Sequence, residues 1–402
     1  MSTVVFWSSL VLLFSIPFEL IFLVGTATLT KFVGLAVAGL WASTVMLTDK
    51  IRRPHPFHLV TFLFVLWNIV SIYWSIDLES TLTRSISYIQ LTGLIYIIWD
   101  LYNTSEKLKT GLQVYILGAY VSVGKTIYNY LTGVTVYATH ATYDRYAAGD
   151  FNANELSLIL VLGVPIAWYL AMSKGKSKLD QVLMVVNYAY PPLALFCIFL
   201  GASRGGLVAM SIAFLYIFGS FTRLKVIPRI VIFLLLVSSL FALQPLIPES
   251  SLKRLSHGID EINTGTFSSR GAIWLQGLTV FVEHPLIGVG SGAFRYAITL
   301  NKSAHNTLLG IAVELGVVGL ILFLIMLLIV FHSALHQPKW ESRLWLMLLL
   351  VWVVSASTID WAHRKPTLLL MGLIVASGHL PKRHPRVDEH PVQDDRSVQS
   401  IL

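Results

Sequence analysis

The stretch AHNTLLGIAVELGVVG, residues 304–319, decides how we interpret the rest of the chain. A His-Asn pair opens a long apolar run, and Glu314, Gly316 and Gly319 follow on what we predict to be one helix. If this helix enters a membrane at His305, Glu314 lies roughly 13 Å deeper at about 1.5 Å of rise per residue. An ionisable group near the middle of a bilayer is costly, so the sequence predicts a site around it.

The remainder of the chain is strongly apolar and poor in charge. Of its 402 residues, 55% are hydrophobic, 12% are charged and one is a cysteine. This composition excludes an ordinary soluble domain and indicates a polytopic membrane protein. The single cysteine excludes disulfides and thiolate metal sites. Because the N-terminal stretch lacks a basic n-region and a small-residue cleavage site, we predict a retained first span.

Apolar runs of about 20 residues predict an all-α protein of about twelve transmembrane helices, with one long outer loop between the ninth and tenth. We expect helices one to nine in residues 1–247, short amphipathic helices in the loop 248–304, helices ten to twelve in residues 305–380, and a disordered tail 381–402. The predicted spans are residues 4–24, 28–47, 57–75, 84–101, 110–131, 151–172, 181–202, 205–221, 230–247, 305–331, 344–360 and 366–380.

Basic residues are shared unequally between the two sets of short connections. One set carries clusters, as at residues 50–53 and 223–229, and the positive-inside rule places it in the cytoplasm together with both termini. The net charge of +8 therefore indicates membrane orientation and not nucleic-acid binding. The outward set holds mostly single basic residues, namely Lys31, Arg84, Arg145 and Arg204, and the pair Arg364 and Lys365.

Three outward arginines are candidate ligands for phosphate. Arg204 lies in the tight turn GASRGG, which limits the movement of a planar guanidinium suited to phosphate oxygens. Arg270 follows a Ser-rich turn, and Arg145 precedes a turn that holds Asn152 and Asn154. Each arginine could also be a snorkelling or solvated side chain. Two of them on one face would clamp a diphosphate.

His305 is the candidate general base. Its unperturbed pKa of about 6.5 suits it to accept a hydroxyl proton near neutral pH, although it could instead only cap the helix. Asn306 places a hydrogen-bonding group beside it. We expect no metal here, because no second His, Cys or carboxylate lies at ligand spacing.

Two carboxylates complete the candidate set. We expect Glu314 to be structural, together with Gly316 and Gly319, and it could pair with Lys125, the other charge inside a predicted span. Asp360 ends the eleventh predicted span. It could orient an arginine or the histidine, or be only a solvated helix end.

Assembled, these pieces resemble the O-antigen ligase family, a membrane superfamily that also includes O-antigen polymerases and protein O-oligosaccharyltransferases. The resemblance rests on segments 147–160, 201–206 and 283–294, and on His-Asn, nine residues, Gly, two residues and Gly at 305–319. Ser291 is a departure, at a position where Pro or Gly is expected in relatives.

The resemblance implies a GT-C-like glycosyltransferase of the bacterial inner membrane, with a periplasmic active site and loop and with no cofactor or metal. It would transfer O-antigen polysaccharide from undecaprenyl diphosphate to a sugar hydroxyl of lipid A-core, with membrane lipid around it. The alternatives are an O-antigen polymerase joining lipid-linked repeat units, a protein O-oligosaccharyltransferase and a non-enzymatic transporter. The sequence contains no inverted repeat of the kind that many transporters carry, which argues against the transporter. The expected catalytic residues are His305, Arg204 and Arg270, and the expected substrate-binding residues are Arg145, Asn154, Asn306 and Asp360.

Overall fold

The computed structural model describes residues 2–24, 27–135, 144–173, 175, 177–264 and 270–380, and it is built almost entirely from α-helices. Two short strands, β1 (Leu23–Val24) and β2 (Ala27–Thr28), pair antiparallel. The predicted tail 381–402 and the Ser-rich turn before Arg270 lie outside the described residues. The helices are α1 (Ser2–Ser15), α2 (Leu29–Thr48), α3 (Pro56–Val70), α4 (Leu78–Leu101), α5 (Ser105–Leu131), α6 (Ala153–Ala171), α7 (Lys178–Leu200), α8 (Arg204–Ser220), α9 (Val226–Leu243), α10 (Glu249–Thr264), α11 (Arg270–Glu283), α12 (Phe294–Ala297), α13 (Thr307–Leu335), α14 (Lys339–Ala356) and α15 (Lys365–Gly378).

Every apolar run predicted as a span folds as a helix, namely α1–α9 and α13–α15. Within the described ranges, seven helices are long and apolar enough to cross a membrane by length and composition, and Thr3–Phe18 and Lys365–Gly378 are shorter apolar helices. The chain is therefore an all-α membrane protein, and the number of twelve spans stays a prediction. The long segment between α9 and α13 carries α10, α11 and α12, as short helices were expected there.

Polar caps begin the three helices that carry most of the candidate residues. Side-chain oxygens of Asn152, Ser203 and Asn306 accept backbone N–H bonds of 2.9, 3.2 and 3.1 Å in the first turns of α6, α8 and α13. Such caps satisfy donors that a helix start otherwise leaves without partners. Side chains at these helix starts consequently have defined positions.

Helix α6 forms the centre of the bundle and packs against α5, α7, α8 and α14. Nearly all of its side chains are buried, including those of Trp168 and Tyr169. Helix α2 is the opposite case, because only Thr30 and Val37 along it are buried. A helix that is apolar but mostly exposed fits a position at the lipid-facing edge of the bundle.

Helix α13 is broken at Gly316, where φ is 66° and ψ is −167°. We predicted one regular helix through this position, and that prediction is wrong. The backbone adopts a region that is essentially limited to glycine, and a side chain there would overlap the Leu286 carbonyl. The break divides α13 into a shorter first part that ends at Leu315 and a longer second part that begins at Val317.

The segment 285–290 supplies partners for carbonyl groups that the break removes from the helix. The amide of Val289 donates to the carbonyl of Val313 at 3.0 Å, and the amide of Gly290 donates to the carbonyl of Glu314 at 2.9 Å. In a continuous helix these two carbonyls would accept bonds from residues four positions further on. The segment, which is itself turn and irregular backbone, thus supplies bonds that replace those of a continuous helix.

Two further backbone groups, one on each side of the break, also have partners outside α13. The Val317 amide donates to the carbonyl of Pro285 at 2.8 Å. The indole Nε1 of Trp67 on α3 donates to the carbonyl of Leu315 at 2.9 Å. Because lipid offers no hydrogen bonds, irregular backbone at membrane depth is stable only when protein groups satisfy it in this way.

Candidate active site

Arg145 is buried between the start of α6 and the turn before α8. Its Nε donates to the carbonyl of Gly201 at 2.8 Å, and its Nη2 donates to Oδ1 of Asn154 at 2.9 Å. The same Asn154 oxygen accepts a 3.0 Å bond from the Ser203 hydroxyl. Asn154 therefore orients Arg145, and its predicted contact with substrate remains a prediction.

Four arginines, which we call the arginine cluster, gather around this point: Arg145, Arg204, Arg254 and Arg270. Burial and the charges of the other three lower the pKa of Arg145 to about 10, because like charges disfavour a further cation nearby. Arg204 begins α8, Arg270 begins α11, and Arg254 on α10 donates through Nε to the carbonyl of Ala202 at 3.4 Å. An anion with several oxygens would relieve the repulsion within the cluster.

His305 lies next to this cluster, immediately before α13. Its backbone φ is 48°, in the left-handed region that is uncommon outside glycine, and its Nε2 lies 3.5 Å from the Ser303 hydroxyl. Burial, followed by the charge of Arg270, lowers the pKa of His305. Asp360 raises this pKa to a smaller extent, and Lys302 lowers it further. The imidazole is thus neutral near neutral pH, which is the form that accepts a proton.

A second group, the Arg84 cluster, comprises Arg84, Glu314, Asp360 and His363. Nη1 of Arg84 lies 3.8 Å from Glu314 Oε2 and 3.7 Å from Asp360 Oδ2. The same nitrogen lies 2.8 Å from Nδ1 of His363. Burial and the charges of Arg84 and Arg364 hold the pKa of His363 well below its ordinary value, so its neutral Nδ1 accepts the bond from Arg84.

Lys125, which we considered as a partner for Glu314, does not pair with it. Arg84 on α4 is the cation at Glu314, whereas the Lys125 ammonium lies over the ring of Tyr128, 4.7 Å from its centroid. A buried carboxylate requires a partner with matching geometry, and Arg84 can serve two carboxylates at once.

The loop between α14 and α15 connects the two clusters. It carries Asp360, whose charge acts on both Arg84 and His305. The hydroxyl of Thr307 at the start of α13 donates to the carbonyl of Ile359 at 2.7 Å and accepts a 3.0 Å bond from the amide of Trp361. These bonds fix the position of Asp360 relative to the start of α13.

Two ion pairs anchor the end of this loop. Arg364 pairs with Glu155 on α6, with 2.6 Å between Nη2 and Oε1. Lys365 pairs with Glu19, which follows α1. The loop is thereby attached to α6 and to the segment that follows α1.

The structure thus brings together Arg145, Arg204, Arg270, His305 and Asp360. Three further predicted residues have structural positions: Asn306 caps α13, Gly316 forms the break, and a side chain at Gly319 would overlap that of Leu315. In the part of the chain that the structure describes, no group of three His, Cys, Asp or Glu side chains is arranged to hold a metal ion.

Three members of these clusters were missed from the sequence: Arg84, Arg254 and His363. We placed the start of the fourth span at Arg84, but α4 begins at Leu78, so Arg84 lies inside a helix. Glu314 was singled out because an ionisable group inside a membrane span is costly. The same argument would have identified Arg84 if the fourth span had been started earlier. For Arg254 and His363, no sequence signal separates them from solvated loop residues.

The model of the O-antigen ligase family matches residues 192–324, about a third of the chain. This segment contains Arg204, Arg254, Arg270 and His305, and it supports assignment to that family. The family implies a glycosyltransferase-like membrane enzyme of lipopolysaccharide biosynthesis with a lipid-linked glycan and lipid A-core as partners, either as a ligase or as a related polymerase. No curated protein matches the chain.

Proposed function

We propose that this protein, whose residues 192–324 match the O-antigen ligase family, acts as the ligase. It transfers O-antigen polysaccharide from undecaprenyl diphosphate to a sugar hydroxyl of lipid A-core, without a metal, at the periplasmic face of the inner membrane. The observation that carries the proposal is the arginine cluster beside a neutral His305.

The arginine cluster would stabilise the leaving group. As the bond between the anomeric carbon and the diphosphate oxygen breaks, negative charge grows on the diphosphate. Fixed guanidinium groups at a partly dry interface stabilise such charge without reorganising. Arg204 and Arg270, at the starts of α8 and α11, are the residues we assign to this contact, and Arg145 is held in place behind them by Gly201 and Asn154.

His305 would activate the acceptor. Its neutral imidazole takes the proton of the acceptor hydroxyl while the hydroxyl oxygen forms the new bond to the anomeric carbon. The electron pair of the broken bond leaves with the diphosphate, so one displacement with inversion is the simplest course. Asp360 favours the protonated form of His305, and it therefore stabilises the imidazolium formed in this step.

Purified protein with an undecaprenyl-diphosphate-linked glycan and a lipid A-core acceptor tests the proposal. We expect Arg204→Ala and His305→Ala each to slow transfer by roughly 10²–10⁴-fold. Matched controls are Arg295→Ala, whose guanidinium lies over the Tyr296 ring, and His284→Ala, which removes an exposed imidazole from the same segment. Wild-type rates in both Arg204→Ala and His305→Ala would contradict the site.

Surface glycans of cells without the protein separate the ligase from the polymerase. Loss of a ligase leaves long polymer on the lipid carrier and bare lipid A-core. Loss of a polymerase leaves core that carries a single repeat unit. The second pattern would contradict the ligase and favour the polymerase.

A further inference from the structure

The hydroxyl of Thr307 joins the first turn of α13 to the α14–α15 loop at two points. It donates to the carbonyl of Ile359 at 2.7 Å and accepts a 3.0 Å bond from the amide of Trp361. These are the backbone groups immediately before and after Asp360. Because Thr307 is fully buried, water does not compete for either bond.

A separate contact places the carboxylate of Asp360 at the same helix start. A Cβ at Gly310, one turn after Thr307, would lie 3.6 Å from Oδ1 of Asp360 and 3.5 Å from Cβ of Ala304. The carboxylate and the residue that precedes His305 therefore flank the same point. The position of the carboxylate relative to His305 thus depends on how the loop lies on the start of α13.

Asp360 opposes two cations at His305. Burial lowers the pKa of His305, as do the charges of Arg270 and Lys302, whereas the charge of Asp360 raises it. The attraction between a carboxylate and an imidazolium weakens as the distance between them grows. A carboxylate that moved away from His305 would therefore stabilise its protonated form less.

The other neighbours of Asp360 do not hold it beside His305. Nη1 of Arg84 lies 3.7 Å from Asp360 Oδ2, and Nδ1 of the neutral His363 lies 4.0 Å from Oδ1. Arg84 belongs to α4, so its charge attracts the carboxylate towards that helix. The backbone bonds to Thr307 are what keep the loop on α13 against this attraction.

We propose that Thr307 is a positioning residue of the transfer reaction, whose hydroxyl keeps the Asp360 carboxylate at the distance from which it stabilises the imidazolium of His305. The inference deepens the proposed function and rests on it. Because Thr307 is fully buried, it acts through Asp360 and not by touching substrate. Its effect is on the orientation of charge around the base, which is a large part of what a preorganised site supplies.

A second threonine on the same loop contact provides the matched control. Thr367 is also fully buried, and its hydroxyl donates to the carbonyl of Trp361 at 2.8 Å and accepts a 2.9 Å bond from Nε1 of Trp352. Thr307→Val and Thr367→Val therefore each remove two bonds of similar length with little change of shape. Thr307→Val frees the loop from the start of α13, whereas Thr367→Val leaves both Thr307 bonds in place.

The first test measures the pKa of His305 itself, in full-length protein in detergent. Diethyl pyrocarbonate modifies neutral imidazole, and mass spectrometry of the modified residue across a pH series gives its pKa. We expect a lower pKa of His305 in Thr307→Val, because the carboxylate that favours the imidazolium is no longer held. The pKa should match wild type in Thr307→Ser, which keeps the hydroxyl, and in Thr367→Val. A pKa of His305 in Thr307→Val that is unchanged or raised would overturn the proposal, as would an equal fall in Thr367→Val.

Kinetics of glycan transfer give the second test. In Thr307→Val the acid limb of the kcat profile should move to lower pH, and kcat above that limb should fall about tenfold, with KM for donor and acceptor unchanged. Thr307→Ser should restore both the limb and the rate. A fall in kcat with the acid limb at its wild-type pH would indicate a merely structural role and overturn the proposal.

A milder variant keeps the proposal testable if Thr307→Val does not fold. Thr307→Cys has a similar volume and a thiol that is a weak donor and acceptor, so the pKa of His305 should fall to a value between those of wild type and a variant without the bonds. An unchanged pKa in Thr307→Cys together with unfolded Thr307→Val would contradict the positioning role. Protein in which this pKa falls but which transfers no glycan contradicts only the proposed function. Transfer that requires His305 but is unaffected by Thr307→Val contradicts only the role of Thr307.

Discussion

Replacing Gly316 by alanine should destabilise the protein strongly. The residue occupies a φ/ψ region that costs a residue with a side chain about 1–3 kcal/mol. The new Cβ would overlap the Leu286 carbonyl, and relieving such an overlap in a packed interior costs a further 1–3 kcal/mol, roughly. We therefore expect a loss of about 2–6 kcal/mol in the free energy of unfolding, with a lower Tm.

Thermal and denaturant unfolding of the purified protein in detergent measures this loss. Gly124→Ala on α5 is the matched control, because it is helical and a Cβ there meets nothing within 4 Å. It should change stability by no more than about 1 kcal/mol, in the stabilising direction. If Gly316→Ala were as stable as Gly124→Ala, α13 would be continuous, and our account of the break and of segment 285–290 would be refuted.

Three further outcomes follow from the site. Arg84→Met leaves the buried Glu314 and the partly buried Asp360 without their cation and should cost about 3–5 kcal/mol in unfolding experiments. Unchanged stability would contradict the pairing. Lys302→Gln removes a charge that lowers the pKa of His305, so this pKa should rise. Because the base acts when deprotonated, the acid limb of the kcat profile should move to higher pH, and a shift to lower pH would contradict the role of His305. Transfer should persist after incubation with EDTA, and a loss restored by added metal would show that metal independence is wrong.

The helices were predictable because the backbone groups of a long apolar run in lipid must be hydrogen-bonded within the protein. An α-helix makes these hydrogen bonds within a single segment. The break at Gly316 was not predictable, because a single residue with positive φ leaves the apolar pattern around it unchanged. To predict the break, we would have had to know that segment 285–290 forms backbone hydrogen bonds with residues 313–317. The pairing of two distant backbone segments has no local signal.

The grouping of the candidate arginines was predictable in part, because the distribution of basic residues along the chain predicts which connections share a side of the membrane. The positive-inside rule places Arg145, Arg204 and Arg270 on one face, and the structure gathers them. The positive-inside rule does not specify which residue pairs with each charge. Glu314 was therefore given Lys125, the other charge inside a predicted span, whereas its partner Arg84 lies 230 positions earlier on a helix whose start we placed too late.

The anchoring of the α14–α15 loop has a consequence for the order in which contacts form during synthesis. Lys365 and Glu19 are separated by 346 positions, and Arg84 and His363 by 279, so these pairs can form only after residues 363–365 have been synthesised. Until then Arg84 and Glu314 lack the loop that carries Asp360. A nascent chain that stops before the α14–α15 loop would hold these charges without their full set of partners. Synthesis of the α14–α15 loop and of α15 thus completes the contacts of the Arg84 cluster, and a chain truncated before this loop should be degraded.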